Sequence, residues 1–239
     1  MKLLMKDTQS QHGIKNMNDF KKIKYKIVRN AVDKDVINMV YKYFIKKRFV
    51  AKSIIDKRLI SPFIDYFGIF TDDQAPNTYS HYSDIMMETL LEDLLPLMKK
   101  ETQLDLYPTY SYARIYKKGD ILHRHKDRPS CEVSTTLNLG GDEWSIFLDP
   151  TGESSILSRD EEEIKLKDNP NKGIEVRLKQ GDMLIYLGCE LEHWREEFKG
   201  ENCGQVFLHY NEVKEDNNNL YDGRPFLGLP SCFKEYYNK

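Results

Sequence analysis

Between residues 106 and 210 the sequence consists of short runs rich in β-branched and aromatic residues, and turn residues separate one run from the next. The runs cover residues 110–116, 121–127, 134–139, 144–148, 174–178, 183–187 and 205–210. Such spacing is typical of antiparallel strands joined by turns, with a hairpin-like break at residues 140–142. A chain with many short strands closes into a sandwich or a jelly roll. We therefore expect a mostly β fold with α-helices that flank one sheet.

The residues before this region predict two helices. Asp33 can cap a helix over residues 34–47, because the apolar residues that follow it repeat at helical spacing. A second helix is expected over residues 83–101, with an apolar stripe on its inner face. Pro96 lies inside that stretch and should kink the helix or end it early.

We expect a single domain at residues 23–239, preceded by a loose, polar and lysine-rich N-terminal segment at residues 1–22. The expected parts of the domain are a short strand at 25–28, helical support at 33–103 with connecting structure at 48–78, a jelly-roll core at 106–210 with a solvated acidic insertion at 150–172, and an irregular C-terminal segment at 211–239.

Composition argues against several functional classes. The net charge is −2 and the 36 basic residues are spread along the chain, so no dedicated nucleic-acid surface is predicted. No apolar run approaches the length of a membrane span, and the first residues become charged before a signal peptide could form. The four cysteines show no CxxC spacing, which favours reduced thiols and a cytoplasmic protein. The oligomeric state cannot be read from the sequence.

His125 and Asp127 are the first residues that suggest a metal-binding site. Two residues that are two positions apart on a strand share a face, so an imidazole nitrogen and a carboxylate oxygen can reach one divalent metal. The pair alone is weak evidence, because six histidines and 38 acidic residues among 239 give about one His-x-acid pair by chance. A third ligand is needed. His193 is the obvious candidate because it follows the strand at residues 183–187.

In this order the motifs resemble the iron(II)- and 2-oxoglutarate-dependent dioxygenases, especially their prolyl 4-hydroxylase-like branch. Residues 112–127, YARIYKKGDILHRHKD, are similar to that branch's strand ending in tyrosine, its glycine turn and its His-x-Asp motif. GDMLIY at residues 181–186 and FLH at residues 207–209 resemble its later strands. The resemblance covers residues 110–210 and does not specify a substrate.

The resemblance implies a double-stranded β-helix that carries a metal-dependent active site. His125, Asp127 and His193 would bind Fe(II) and leave positions open for the 2-oxo acid and O2. The family couples oxidative decarboxylation of 2-oxoglutarate to hydroxylation of a C–H group, and ascorbate is a candidate reductant. Tyr116 matches a tyrosine that contacts the co-substrate in this branch.

One part of the family's pattern is missing. The family usually holds the distal carboxylate of 2-oxoglutarate with an arginine or lysine shortly after the distal histidine, and residues 202–205, NCGQ, contain neither. Counting by twos along the strands places Gln205 and Arg114 on inward faces. We expect Arg114 to supply the charge, with an outward salt bridge as its competing interpretation. Tyr116, Asn138 and Gln205 are expected to donate hydrogen bonds, and Arg195 is the less favoured cation because it follows the distal histidine at the pocket rim.

Four residues are candidates for the substrate pocket: His209, Trp144, Tyr112 and Arg128. His123 shares a predicted strand face with His125 and is expected either to support a metal ligand or to lie at the pocket wall. The favoured function is hydroxylation of a protein or peptide side chain. Proline is a candidate target, although Leu122 stands where that branch often has an aromatic residue. The alternatives are hydroxylation of a small molecule or free amino acid, and a non-catalytic jelly-roll binding module that retains a metal.

Overall fold

The computed structural model describes residues 19–159, 164–216 and 219–234. The helices in this part of the chain are α1 (Asp19–Ile23), α2 (Lys34–Asp56), α3 (Ile85–Asp93) and α4 (Leu95–Thr102). The strands are β1 (Tyr25–Val28), β2 (Tyr79–Tyr82), β3 (Leu106–Lys117), β4 (Leu122–His125), β5 (Val133–Gly141), β6 (Ile146–Leu148), β7 (Ile156–Arg159), β8 (Ile164–Leu166), β9 (Ile174–Val176), β10 (Met183–Tyr186), β11 (His193–Arg195) and β12 (Asn202–Glu212).

Ten of these strands form two antiparallel sheets that face each other. The larger sheet has the order β1-β10-β5-β12-β3-β2, and the smaller has the order β4-β11-β6-β9. The remaining strands, β7 and β8, pair with each other. The expected mostly β jelly roll with flanking helices is therefore confirmed. The two long strands β3 and β12 pair along their whole length near one edge of the larger sheet.

The larger sheet has one apolar and one polar face. Ala113 and Ile115 of β3, together with Val206 and Leu208 of β12, belong to the main hydrophobic core beside the helices. The residues that alternate with them point into the space between the two sheets, as the period of two in a strand requires. The helices thus cover one face, and the other face is left to line a cavity.

α2 begins at the predicted cap. The Asp33 carboxylate accepts hydrogen bonds from the backbone N–H groups of Asp35 at 2.8 Å and Val36 at 3.4 Å. The buried side chains follow at helical spacing and are Ile37, Val40, Phe44 and Ala51. The helix continues to Asp56, beyond the predicted end at residue 47, because this apolar spacing persists and no glycine or proline interrupts it.

The second predicted helix is present as two helices, α3 and α4. Asp84 caps α3 by accepting from the backbone N–H of Met87 at 3.1 Å. Pro96 lies in the first turn of α4, where its missing N–H costs no intrahelical hydrogen bond, so the expected break at this proline occurs. Among the described helices, none combines the length and the apolar composition needed to cross a membrane.

Several connections differ from the expectation. β2 was not predicted; it pairs with β3 at the edge of the larger sheet, within the stretch expected to supply helical support. The break at residues 140–142 does not form a hairpin, because β5 lies in the larger sheet and β6 in the smaller one. Gly140 and Gly141 adopt positive φ there, which lets the chain cross between the sheets.

Two predicted segments lie partly outside the described residues. Of the segment at residues 1–22, the structure describes the part from Asp19, which begins α1. The predicted acidic insertion at residues 150–172 contains β7 and β8, and residues 160–163 lie outside the description.

Candidate active site

The three predicted metal ligands converge at the ends of β4 and β11. His125 is the last residue of β4, His193 is the first of β11, and the two pair directly across the smaller sheet. Asp127 Oδ1 lies 3.6 Å from His125 Nε2 and 3.4 Å from His193 Nε2. The two imidazole centroids are 4.1 Å apart. The three ligand atoms are therefore close enough to bind one metal ion.

Backbone carbonyl groups orient both imidazole rings. His125 Nδ1 lies 2.7 Å from the carbonyl oxygen of His123, and His193 Nδ1 lies 3.0 Å from that of Leu191. Because a carbonyl oxygen can only accept, each Nδ1 carries the proton and each Nε2 presents its lone pair. Two neutral imidazoles and one carboxylate form a donor set that suits Fe(II) and leaves coordination positions open.

Asp127 is fixed through its backbone and its side chain. Its N–H donates to the carbonyl of Gly188 at 2.9 Å, and its Oδ2 accepts from Ser134 Oγ at 2.6 Å. A Cβ atom at Gly188 would collide with Asp127 Oδ2 and Ser134 Oγ, so this close approach requires glycine. Burial raises the pKa of Asp127, but hydrogen bonding and positive charge from the imidazoles around it, led by His193, hold that pKa below its usual range when those rings are protonated. The carboxyl group therefore stays ionised and available to a cation.

A cavity of about 380 Å³ opens over these ligands. Its walls come from β3, β12, the loop before β2 and the segment that follows β4. The lining side chains used below are Asp72, Tyr110, Tyr112, Arg114, Arg128 and His209. The cavity is polar and aromatic, which suits a small ligand held by a few hydrogen bonds.

Arg114 points inward as predicted, but it already has a carboxylate partner. Its Nη2 lies 2.5 Å from Asp72 Oδ2, and both side chains are buried or nearly so. Its Nη1 donates to Gln74 Oε1 and to the Tyr116 hydroxyl, each at 3.1 Å. Burial lowers the pKa of Arg114, but the neighbouring tyrosines and Asp72 raise it above its usual range. The charge of Arg114 is therefore neutralised within the protein.

Arg195 lies between the sheets on the opposite wall, outside the set of residues that line the cavity, and has no such partner. It lies two residues after His193 on β11, and its side chain is 1% exposed. Nη2 donates to Thr136 Oγ1 at 3.2 Å and Nη1 donates to the Trp144 carbonyl, whereas Nε has no hydrogen-bond partner. Among the described residues, no carboxylate lies within ion-pair distance, and burial lowers the pKa of Arg195. A buried cation with an unused N–H is the arrangement expected where an anionic ligand binds.

Gln205 and Asn138 are buried and do not line the cavity. Gln205 Oε1 accepts from Thr136 Oγ1 at 3.1 Å, and its Nε2 lies 3.1 Å from Cys203 Sγ. Asn138 Nδ2 donates to the Leu178 carbonyl at 2.7 Å, and its Oδ1 has no partner. Thr136 thereby links Gln205 to the guanidinium on β11, while Asn138 is directed to the backbone.

Tyr116 lies between the two arginines. Its buried ring packs edge-on against Trp144, with centroids 4.8 Å apart, and its hydroxyl accepts from Arg114. The Arg195 guanidinium lies 5.0 Å from the Trp144 ring, and Trp144 Nε1 donates to the Glu196 carbonyl. Trp144 therefore covers the arginine end of the interior and does not line the cavity over the metal ligands.

His209 and Tyr112 lie on the cavity wall. His209 stacks on Tyr110 with centroids 4.5 Å apart, and its Nδ1 lies 2.9 Å from Ser134 Oγ. Burial lowers the pKa of His209 to about 4, so the imidazole is neutral near pH 7. The Tyr112 hydroxyl donates to Asp72. Both predicted pocket residues are thus held by internal hydrogen bonds.

Arg128 connects the loop after the metal ligands to the C-terminal segment. Its Nη1 and Nη2 donate to the two carboxylate oxygens of Asp222 at 2.8 and 2.6 Å, and its guanidinium lies 4.4 Å from the centre of the Tyr110 ring. Asp222 and Tyr221 both adopt left-handed backbone angles, with φ of 57° and 49°. This strained turn aims the Asp222 carboxylate at Arg128.

His123 does not line the cavity, so its expected place at the pocket wall is wrong, whereas its backbone carbonyl does support the ligand His125. His193 pairs with His125, but Arg195 pairs with Leu122, which means that β4 carries one extra residue in a β-bulge. The bulge reverses the alternation, so Leu122 lines the cavity and His123 is exposed on the outer face. Counting by twos fails at such a point.

Sequence reasoning missed several residues that shape the site. Asp72, Ser134 and Asp222 contact predicted site residues but carried no motif of their own. A signal for Arg195 did exist, because counting by twos from His193 places Arg195 on the inward face.

Comparison with known proteins supports the fold. No protein-family model matches the sequence, and no curated protein matches it significantly. Among solved structures, AviO1 from Streptomyces viridochromogenes Tue57 is 16% identical, with a TM-score of 0.55 over 81% of this chain and 91% of that one. HygX from Streptomyces hygroscopicus, with nickel, 2-oxoglutarate and hygromycin B bound, is 14% identical, with a TM-score of 0.54 over 81% and 85%.

A Pseudomonas putida prolyl-4-hydroxylase is also similar, at 14% identity and a TM-score of 0.51 over 82% of this chain and 96% of that one. At these identities the likeness establishes the fold. The double-stranded β-helix fold that the resemblance implied is therefore confirmed.

Proposed function

We propose that this protein is an Fe(II)- and 2-oxoglutarate-dependent dioxygenase that hydroxylates a C–H group. The observation that carries the proposal is on β11, where a metal ligand and an uncompensated guanidinium face the same interior. His193 completes the His125 and Asp127 donor set. Arg195, two residues later, offers a buried positive charge and an unused Nε–H. A metal site beside a buried anion site fits a chelating dicarboxylic acid.

His125, Asp127 and His193 would hold the metal. The carbonyl groups that fix both Nδ1 protons keep the two Nε2 lone pairs directed inward before the metal arrives. Ser134 and the Gly188 carbonyl hold Asp127 in the orientation that turns Oδ1 toward both imidazoles. Bound iron supplies the activation of O2 that accompanies oxidative decarboxylation of the 2-oxo acid. The chain's own task is to position the two organic reactants in the cavity over these ligands.

Arg195 is the residue we propose for the distal carboxylate of 2-oxoglutarate, in place of Arg114. Two residues along a strand advance by about 6.6 Å, a span suited to a five-carbon diacid held at its other end by the metal. The carboxylate would give Arg195 Nε its missing partner and would neutralise a buried charge. The Thr136 hydroxyl, which accepts from Nη2 at 3.2 Å, holds the guanidinium in place.

The substrate we propose is an amino-acid side chain, presented by a protein or peptide, with proline as one target to test. A cavity of about 380 Å³ is at the lower end of the range for ligand pockets, and 2-oxoglutarate must share it. The remaining room suits one side chain or one amino-acid-sized molecule. A free amino acid or another small molecule is the alternative, because the Arg and Asp pairs on the walls also suit a polar ligand.

The test is release of succinate by the full chain supplied with Fe(II), 2-oxoglutarate, O2 and ascorbate. We expect slow uncoupled turnover without substrate, and faster turnover with a fitting peptide or amino acid. A panel of proline-containing peptides and free amino acids separates the two substrate classes. Asp127→Ala should abolish turnover because it removes the anionic ligand.

A protein that binds 2-oxoglutarate and metal but never releases succinate would instead be a binding module. A protein that binds no 2-oxoglutarate in the presence of iron would overturn the proposed function.

A further inference from the structure

A second group of metal-binding side chains lies beside the first and shares one residue with it. Asp127, Cys131 and His209 each offer a ligand atom, and these atoms lie within 4.8 Å of one another. We propose that this group binds a thiophilic divalent cation of the zinc and cadmium class, separately from the His125, Asp127 and His193 site. The inference goes beyond the proposed function and stands on a different set of ligands.

The two oxygens of Asp127 face in different directions. Oδ1 is the oxygen nearest to the two imidazoles of the first site, at 3.6 and 3.4 Å. Oδ2 accepts from Ser134 Oγ at 2.6 Å, and the same Ser134 Oγ lies 2.9 Å from His209 Nδ1. Oδ2 is therefore on the His209 side. One carboxylate can supply an oxygen to each of two cations.

Cys131 and His209 are held in place by their neighbours. Cys131 ends the short 3-10 turn Pro129–Cys131, its side chain is 1% exposed, and its Sγ lies 3.1 Å from the Tyr110 hydroxyl. The His209 ring stacks on Tyr110. Tyr110 thus contacts both residues and brings the thiol and the imidazole to one side of Asp127. A ligand that is ordered before the metal arrives loses little conformational entropy on binding.

The donor atoms of the two sites differ in chemical softness, so the sites should prefer different metals. The first site offers two nitrogens and one oxygen, whereas the second offers one nitrogen, one oxygen and one sulfur. A thiolate favours zinc, cadmium and other soft cations, while the first set suits Fe(II) with open positions. A bound cation would displace the thiol proton of Cys131, and because Cys131 lines the open cavity the proton could leave to solvent as the metal–sulfur bond forms. Iron and a soft cation would then share the charge of a single carboxylate.

The experiment is a titration of the purified full chain, stripped of metal and reduced, with Co(II) and then with Cd(II). Co(II) bound to a thiolate gives a sulfur-to-cobalt charge-transfer band in the near ultraviolet, and inductively coupled plasma mass spectrometry counts the bound cadmium. We expect wild type to show the band and to retain two cadmium ions per chain. Cys131→Ala should lose the band and retain one ion.

The controls distinguish this site from other thiols and from the first metal site. Cys189 is half-buried and Cys232 is exposed, so the variant carrying both Cys189→Ala and Cys232→Ala should keep the band. His125→Ala should also keep the band, because it removes a ligand of the first site alone. His209→Phe, which retains an aromatic ring against Tyr110, should lose the charge-transfer band. This variant provides the test if Cys131→Ala does not fold.

A wild-type protein without the band, or a band that survives in both Cys131→Ala and His209→Phe, would overturn the second site. Neither reading uses enzyme turnover, so failure of the proposed oxygenase activity cannot be mistaken for failure of this proposal.

Discussion

The two walls of the jelly-roll interior each present a buried arginine, and they differ in what surrounds it. On the β3 wall, Arg114 forms an ion pair with Asp72 and further hydrogen bonds with Gln74 and Tyr116. On the β11 wall, Arg195 has two hydrogen bonds to neutral groups and an Nε without a partner. A buried charge is therefore available to a ligand only where the protein has not already neutralised it.

The comparison also separates stability from function. Removing one member of a buried ion pair leaves the other charge unpaired in the low-dielectric interior, which lowers the stability of the protein. Removing a buried charge that has no partner lifts a penalty instead. Substituting Arg114 should therefore lower the stability of the protein, whereas substituting Arg195 should preserve or raise it. Four measurements test this difference.

The largest effect is expected from Arg195→Met. The affinity for 2-oxoglutarate should fall about 1,000-fold, because a charge-assisted contact with the distal carboxylate is lost and the carboxylate is buried unpaired. Without ligand, the variant should unfold at the same temperature as wild type or a higher one. Isothermal titration calorimetry with Ni(II) as the metal, together with thermal denaturation, measures both. Arg195→Lys is the matched control and should retain part of the affinity, and unchanged affinity in Arg195→Met would refute the assignment.

The next effect is expected from Arg114→Met. The free energy of unfolding should fall by about 3 kcal/mol, because Asp72 is left as a largely buried, unpaired carboxylate. Urea denaturation of the metal-free protein gives this value, and the double variant with Asp72→Asn should recover part of it. The affinity for 2-oxoglutarate should change far less than in Arg195→Met. A greater loss of affinity here than in Arg195→Met would show that Arg114, and not Arg195, binds the distal carboxylate of 2-oxoglutarate.

A smaller effect is expected from Thr136→Val, which removes the hydroxyl between Arg195 and Gln205. Losing the hydroxyl that orients the guanidinium should weaken 2-oxoglutarate binding about fivefold, which corresponds to about 1 kcal/mol. Thr135→Val is the matched control, because Thr135 Oγ1 accepts from the Leu208 backbone N–H rather than from the guanidinium. Equal effects on affinity in both variants would show that Thr136 does not position Arg195.

The smallest effect is a difference in acid sensitivity. Burial raises the pKa of Asp72, but Arg114 and Tyr112 outweigh it and hold that pKa below its usual value. A carboxyl group with a lowered folded-state pKa stabilises the protein above its unfolded-state pKa, and this stability is lost as the pH falls toward the folded-state value. Urea denaturation from about pH 5 to pH 3 should show a shallower decline in Asp72→Asn than in wild type. Arg195→Met should keep the wild-type slope, and a shallower slope there would contradict the contrast.

Much of the fold was accessible from local patterns. The alternation in β3 places Tyr112, Arg114 and Tyr116 on one inward face, and Pro96 divides the second predicted helix as expected. The convergence of the three ligands was expected from the resemblance that the order of the motifs carries, together with the shared strand face of His125 and Asp127. The length of α2 was underestimated because its apolar spacing continues past the residues that defined the pattern.

The electrostatic state of the site could not be predicted in the same way. Asp72 lies 42 residues before Arg114, so the hydrogen bond that neutralises the guanidinium exists only after folding. The bulge in β4 is likewise set by its pairing with β11, and it reverses the direction of His123. Strand alternation predicts which way a side chain points, but it does not predict which distant residue the side chain contacts.

The tie between Arg128 and Asp222 also has a consequence for the order of events during synthesis. The loop that carries Asp127 is held by a residue near the other end of the domain, and Arg224 fastens the same C-terminal segment to Glu88 of α3. The ribosome must therefore have synthesised the chain beyond residue 224 before the loop that carries Asp127 gains this support. Earlier parts of a domain can become structured during translation. Here, the loop that carries Asp127 reaches its final support only after the segment around Asp222 has been made.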